Sequence, residues 1–228
     1  MGVERPSFFM SSIVREIYNF SQKPLTPFAP SWNYYIAEGN VTFDLQDLKN
    51  EILAKEKEII ERSEFVDDWG TKLGKDSLTS RSNTYNLLEF DHAQDLKKSI
   101  KHFHDIFIER LELPEENSLY CQCWANVMRK KQKIASHFHG FGPTVYLSGH
   151  LCLQVKDTHT YYSNPYHDDS WKSKNIDGKM TMFPSWVRHY TDSVKDDDIR
   201  ITLAFDIMPE KSFYLDVCEE MRYHWVKL

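Results

Sequence analysis

The feature that most limits the fold lies downstream of Pro114. Four short runs, Leu119 to Met128, Thr144 to Val155, Met180 to Val187 and Ile199 to Ile207, are rich in β-branched, aromatic and other apolar residues. Stretches holding Gly, Asn, Asp and Pro separate them, and no helical pattern intervenes. Strands without αβ alternation imply an antiparallel sandwich or barrel rather than a parallel sheet. Two helical patterns come first. Leu45, Leu48, Ile52, Ile59 and Ile60 recur near helical spacing around the charged Lys55–Glu58 block; Asp44 is placed to cap this helix, with Asp47 in its first turn. Leu96, Ile100, Phe103, Phe107 and Leu111 mark a second helix over Ala93 to Leu113, which Pro114 ends. Residues 1–40 carry Pro24, Pro27, Pro30, Trp32, Tyr34 and Tyr35 and read as an extended segment leading into a strand; Gly70 to Asn86 reads as a loop. The expected fold class is mainly β with flanking helices (α+β): a jelly-roll core buttressed by N-terminal helices. The expected organisation is one domain over 1–228, with helical and extended support in 1–115, the core in 116–210 and a tail in 211–228.

Composition narrows the function. The 228 residues are 41% hydrophobic and 14% aromatic, enough for a sizeable core. A net charge of −6 argues against a broad nucleic-acid footprint, although Arg129, Lys130, Lys131 and Lys133 cluster locally. The four cysteines, Cys121, Cys123, Cys152 and Cys218, are too few for a disulfide framework and suggest a reducing compartment. Cys121 and Cys123 should share one strand face. Charges at Glu4, Arg15 and Glu16 interrupt any signal-peptide core, Pro6 spoils a myristoylation pattern, and no stretch is long enough to span a bilayer. The expectation is a cytoplasmic protein with no membrane partner. Oligomeric state is not legible.

Chemistry concentrates in histidines. In His137-Phe138-His139, an extended backbone would put both imidazoles on one face. A third metal ligand must come from elsewhere, and His189, at the end of the Met180 run, is the best candidate. Imidazoles suit several transition metals, so the set does not name one. Beyond it, alternation puts Arg200, Thr202 and Ala204 on one face of the last strand and Ile201, Leu203 and Phe205 on the other. An inward Arg needs a partner. A carboxylate ligand would serve, held by a bidentate fork with the Thr202 hydroxyl beside it; Asp206 is the alternative partner. Asn126 is either a strand-end turn residue or a polar group near that ligand. His102-Phe103-His104-Asp105 is a decoy: positions i and i+2 diverge on a helix, leaving both histidines as solvated flank. His150 reads as a core or pocket residue, and Asp192 to Asp198 as a solvated hairpin loop.

This order, His-x-His, a distal His, then Arg-x-Thr, resembles the iron(II)- and 2-oxoglutarate-dependent oxygenases built on a double-stranded β-helix. Trp124 and Asn126, Ser148-Gly149, Pro165, Gly178 and Phe183-Pro184-Ser185-Trp186 make the chain similar to the prolyl-hydroxylase-like group within them, over about residues 80 to 207. The resemblance implies Fe(II) held by His137, His139 and His189. It implies 2-oxoglutarate as the small-molecule cosubstrate, with its far carboxylate on Arg200 and Thr202 and with Asn126 nearby. It further implies C–H oxidation, typically hydroxylation, of a substrate the sequence does not specify; a peptide or protein side chain is the guess it raises. Halogenation and desaturation stay open. One departure stands out: most of the superfamily places Asp or Glu where this chain has His139. Either three histidines bind the metal, or water, a halide or a carboxylate such as Asp157, Asp168 or Asp169 completes the site. Two other readings remain, a cupin-like three-His dioxygenase that uses no 2-oxoglutarate and a non-catalytic binding module. Tyr161 and Tyr162 are candidate pocket walls. The N-terminal segment and the 70–86 loop are candidate lids.

Overall fold

The structure, a computed structural model, describes residues 12–63, 73, 77–116, 118–165, 169–195, 197–217 and 219–228. Cys218, His167, Asp168 and the first eleven residues, including Glu4 and Pro6 of the targeting argument, lie outside these, as does most of the 64–76 stretch. Among the described residues ten strands form two sheets. The larger has the order β1 (Ser12–Gln22), β2 (Trp32–Val41), β7 (Lys179–Pro184), β4 (Leu147–Gln154), β9 (Arg200–Pro209), β3 (Leu119–Met128), β10 (Val226–Lys227). The smaller has the order β6 (Ser170–Lys174), β5 (His159–Ser163), β8 (His189–Thr191). Every pairing is antiparallel. This is the jelly roll expected from the β runs.

Alternation sorts the large sheet into two faces. Cys121, Cys123, Ala125 and Val127 on β3, Leu151 and Leu153 on β4, Met180 and Met182 on β7 and Leu203 and Phe205 on β9 form one buried cluster. The apolar stripes of α1 (Gln46–Arg62) and α2 (Gln94–Arg110) join it through Leu48, Ile52, Ile100, Phe103 and Phe107. The helices therefore close the outer face, and each large side chain buried there contributes about 1.5–3 kcal/mol. The N-cap of α1 is Leu45 rather than Asp44; Asp44, one residue earlier, accepts the Gln46 N–H at 2.9 Å. The other face, turned toward the small sheet, carries the polar side chains of the site. Tyr34, Ile36, Tyr162, Phe183 and Val187 form a second cluster. Gly149 on β4 is a close-approach position: an added Cβ would collide with the Phe205 ring and come within 2.6 Å of the Thr181 carbonyl. Gly178, with φ +80°, makes the turn into β7, donating its N–H to Cys152 O at 2.8 Å.

Several expectations need correction. From residue 12 on, the N-terminal segment does not simply lead into one strand but forms a hairpin, β1 and β2, joined to β7. The Met180 run does not reach His189. It ends at Pro184, and a turn closed by Val187 N–H to Pro184 O at 2.9 Å carries the chain into the other sheet. Strands β5 and β6 were too polar to stand out. His104 is not solvated: it is 1% exposed, with Nε2 2.9 Å from the Tyr146 hydroxyl. Glu56, within the charged block of α1, is buried and takes a bidentate pair of bonds from Arg129 at 2.7 and 2.8 Å. Asp192 is no free loop acid; it accepts from the His159 N–H and the Tyr161 hydroxyl at 2.9 and 3.0 Å. Among the described residues no helix is long and apolar enough to cross a membrane.

Candidate metal centre

The triad is assembled by backbone pairing. His137 and His189 exchange N–H···O bonds at 3.1 and 2.9 Å, and His139 donates its N–H to Ser185 O at 2.9 Å. The 131–140 segment thus lies antiparallel beside β8, making one isolated bridge rather than a named strand. Its alternation sends Phe138 outward, 40% exposed, and both neighbouring imidazoles inward. The ring centroids are 4.3 Å apart for His137–His189, 5.2 Å for His137–His139 and 5.1 Å for His139–His189. One ligand nitrogen from each lies within 4.8 Å of the others.

Each ring also has its Nδ1 engaged. His137 contacts Ala135 O at 2.9 Å, His189 contacts Val187 O at 3.0 Å, and His139 contacts Asp206 Oδ1 at 2.6 Å. Those oxygens accept, so each Nδ1 carries the proton and each Nε2 keeps its lone pair for a metal. Burial, then the neighbouring His137 and His139, hold the His189 pKa well below its ordinary value. It stays neutral, which is the ligating form. The donor set fits a transition-metal dication. Among the described residues no carboxylate joins the group. Asp157 pairs with Lys195 and Asp169 with Asn164, so neither is the missing ligand.

Strand β9 spans the adjoining cavity of about 250 Å³, which the triad, Asn126, His150, Arg200 and Thr202 line. Arg200 is 3% exposed, and its Nε and Nη1 have no hydrogen-bond partner. The alternative pairing with Asp206 does not occur, because Asp206 lies at the far end of the strand, on His139. A buried guanidinium with two unanswered donors is costly unless a bound anion answers them. Asn126 lines this cavity and accepts from Thr79 at 2.6 Å. His150 also lines it and bonds the Tyr162 hydroxyl at 2.7 Å. Burial, then the charges of Lys179, Arg200 and His139, lower the His150 pKa to about 3. Of the two tyrosines, Tyr162 is buried beside His150 and His189, whereas Tyr161 faces Asp192.

Outside lies an open groove of about 1180 Å³ whose walls include Trp32, Phe138, Phe141, Trp186, Arg188 and Tyr190. Phe138 belongs to both spaces, so the groove adjoins the triad. Sequence reasoning missed two partners here. Trp32 comes from β2, within the segment expected to be extended and to lead into a strand, and Asp206 continues the inward face of Arg200, Thr202 and Ala204, a signal that was present.

The class defined by this architecture is the double-stranded β-helix, here with three clustered histidines that could hold a metal ion. Residues 122–206, which hold all three histidines and Arg200, match the family described as "Putative 2OG-Fe(II) oxygenase". Among solved structures, AviO1 from Streptomyces viridochromogenes Tue57 is 10% identical, with 77% of this chain and 90% of that one covered and a TM-score of 0.50. EvdMO1 is 12% identical, with 86% and 55% covered and a TM-score of 0.51. A prolyl hydroxylase in complex with a hypoxia inducible factor peptide fragment, from Trichoplax adhaerens, is 12% identical, with 75% and 83% covered and a TM-score of 0.46. Such identities show the fold alone, and the third likeness is too loose to carry an argument. No curated protein matches the sequence. The matched segment and the fold agree with the oxygenase resemblance read from the sequence.

Proposed function

We propose that the chain is a single-domain Fe(II)- and 2-oxoglutarate-dependent hydroxylase working in the cytoplasm. The carrying observation is that three imidazoles whose ligand nitrogens lie within 4.8 Å of one another and a buried Arg200 with two unanswered donors share one cavity. In this reading His137, His139 and His189 hold the metal. Arg200 and Thr202 hold the far carboxylate of the cosubstrate, and Asn126 forms part of the wall beside it. Iron and 2-oxoglutarate, when bound, supply the dioxygen activation and oxidative decarboxylation that drive C–H oxidation. The protein's own contribution is positional. Buried β9 fixes the distance between metal and anion anchor, and neutral His150 adds no competing charge.

The groove supports a substrate larger than the inner cavity could enclose, and an extended peptide segment suits its aromatic walls. The reduced, buried thiols of Cys121, Cys123 and Cys152 suit the cytoplasm. The three-imidazole set equally suits a cupin-like dioxygenase without 2-oxoglutarate, but that reading leaves Arg200 unexplained. To test the proposal, purified protein is incubated in air with Fe(II), ascorbate and 2-oxoglutarate, and succinate is measured. Slow substrate-independent succinate formation, lost in His189→Ala, is expected. Metal binding without either succinate formation or 2-oxoglutarate binding would favour the cupin-like reading.

A further inference from the structure

We propose that Asp206 is a positioning residue for the metal centre, supplying through the His139 imidazole the negative charge that a directly bound carboxylate would otherwise bring. The inference rests on the metal-centre reading above. Three neutral imidazoles leave the charge of a divalent cation unbalanced at the protein face. Asp206 Oδ1 stands 2.6 Å from His139 Nδ1, which leaves Nε2 as the nitrogen open to a metal. His137 and His189 have backbone carbonyls at the same ring position, whereas the Nδ1 of His139 faces a carboxylate. A carboxylate on the outer N–H fixes the tautomer and raises the basicity of the inner nitrogen.

Asp206 is itself held. Its Oδ1 also accepts from Ser148 Oγ at 2.5 Å, and Ser148 lies opposite it in the β4–β9 register. Ser148 Oγ is 2.8 Å from Ser185 Oγ, and Ser185 O accepts the His139 N–H at 2.9 Å. The carboxylate, the ring and the backbone of His139 are thereby tied into one network that joins β4 and β9 to the segment beside β8. The Asp206 side chain is only 22% exposed and that of His139 only 6%, which limits screening by water. Neighbouring Trp124 packs 5.4 Å from the His139 ring, opposing rotation.

The test uses cobalt(II), titrated anaerobically and followed by its d–d bands, on the wild type, Asp206→Asn, His139→Asp and the double variant. Asp206→Asn is expected to weaken cobalt binding about 10- to 100-fold. The thermal midpoint of the metal-free protein should be unchanged. In the His139→Asp background, where no imidazole remains to be oriented, the same substitution should have little effect. Unchanged affinity in Asp206→Asn, or an equal loss in both backgrounds, overturns the proposal and leaves Asp206 a purely structural acid. Failure of the wild type to bind cobalt, or binding that survives loss of His137 and His189, overturns the metal-centre reading and this inference with it. Should Asp206→Asn not fold, nitrogen-15 spectra of zinc-loaded wild type decide the matter. A proton on His139 Nδ1 with Nε2 on the metal is the expected tautomer, and the reverse overturns the proposal.

Discussion

Arg200 should be a residue whose removal helps the empty protein and ruins the loaded one. Its guanidinium is 3% exposed, and Nε and Nη1 have no partner among the described residues. Burial lowers its pKa, the mark of a charge held away from water. Replacing it with methionine removes an uncompensated buried cation while keeping most of the volume, and such exchanges are neutral or stabilising by about 1–4 kcal/mol. At about 2–4 °C per kcal/mol for a chain this long, the metal-free melting temperature should hold or rise by several degrees. Loss of a bidentate carboxylate fork acts the other way. Two hydrogen bonds to a charged group are worth about 3–6 kcal/mol, which is about 10²- to 10⁴-fold in 2-oxoglutarate affinity. Arg200→Lys keeps a charge but not the fork, and should lose about half of that free energy. The assay pairs anaerobic calorimetry of 2-oxoglutarate on the metal-loaded protein with melting of the metal-free protein. Unaltered 2-oxoglutarate affinity in Arg200→Met would refute the anchor role. A collapse in melting temperature would show that Arg200 is structural instead.

Four further outcomes follow from the packing and the site. Gly149→Ala drives a methyl group into Phe205 and the Thr181 carbonyl, so a loss of about 1–3 kcal/mol is expected in urea unfolding. Phe103→Ala empties a fully buried site between α2 and the sheet and should cost about 3–5 kcal/mol by the same assay. Tyr146→Phe leaves buried His104 Nε2 without its partner and should cost about 1–3 kcal/mol, with succinate formation unaffected. Trp186→Ala in the outer groove should raise the KM for an accepted peptide substrate while leaving 2-oxoglutarate binding as it was.

Much of this was legible because strand alternation is strict. The run from Arg200 to Asp206 sends polar residues to the cavity and Ile201, Leu203 and Phe205 to the helices, as its pattern predicted. The same rule placed His137 and His139 together. What escaped depends on contacts far apart in sequence. His104 looked like a solvated helix flank because its partner, Tyr146, is 42 positions away. His189 looked like the end of a long strand because nothing local shows that the turn at Pro184 passes the chain to a second sheet. β5 and β6 hid because their sequences, HTYYS and SWKSK, are mostly polar. The contact between His139 and Asp206 was likewise hidden, because 67 positions separate the two.

The central claim is that one cavity holds a metal on His137, His139 and His189 and a 2-oxo acid on Arg200. The most direct test is the visible spectrum of the anaerobic protein with Fe(II) and 2-oxoglutarate, where a chelated 2-oxo acid gives a weak metal-to-ligand charge-transfer band. The account predicts this band in the wild type, its loss in His189→Ala and its weakening in Arg200→Ala at the same 2-oxoglutarate concentration. Iron bound at the triad with no such band at any 2-oxoglutarate concentration would contradict it.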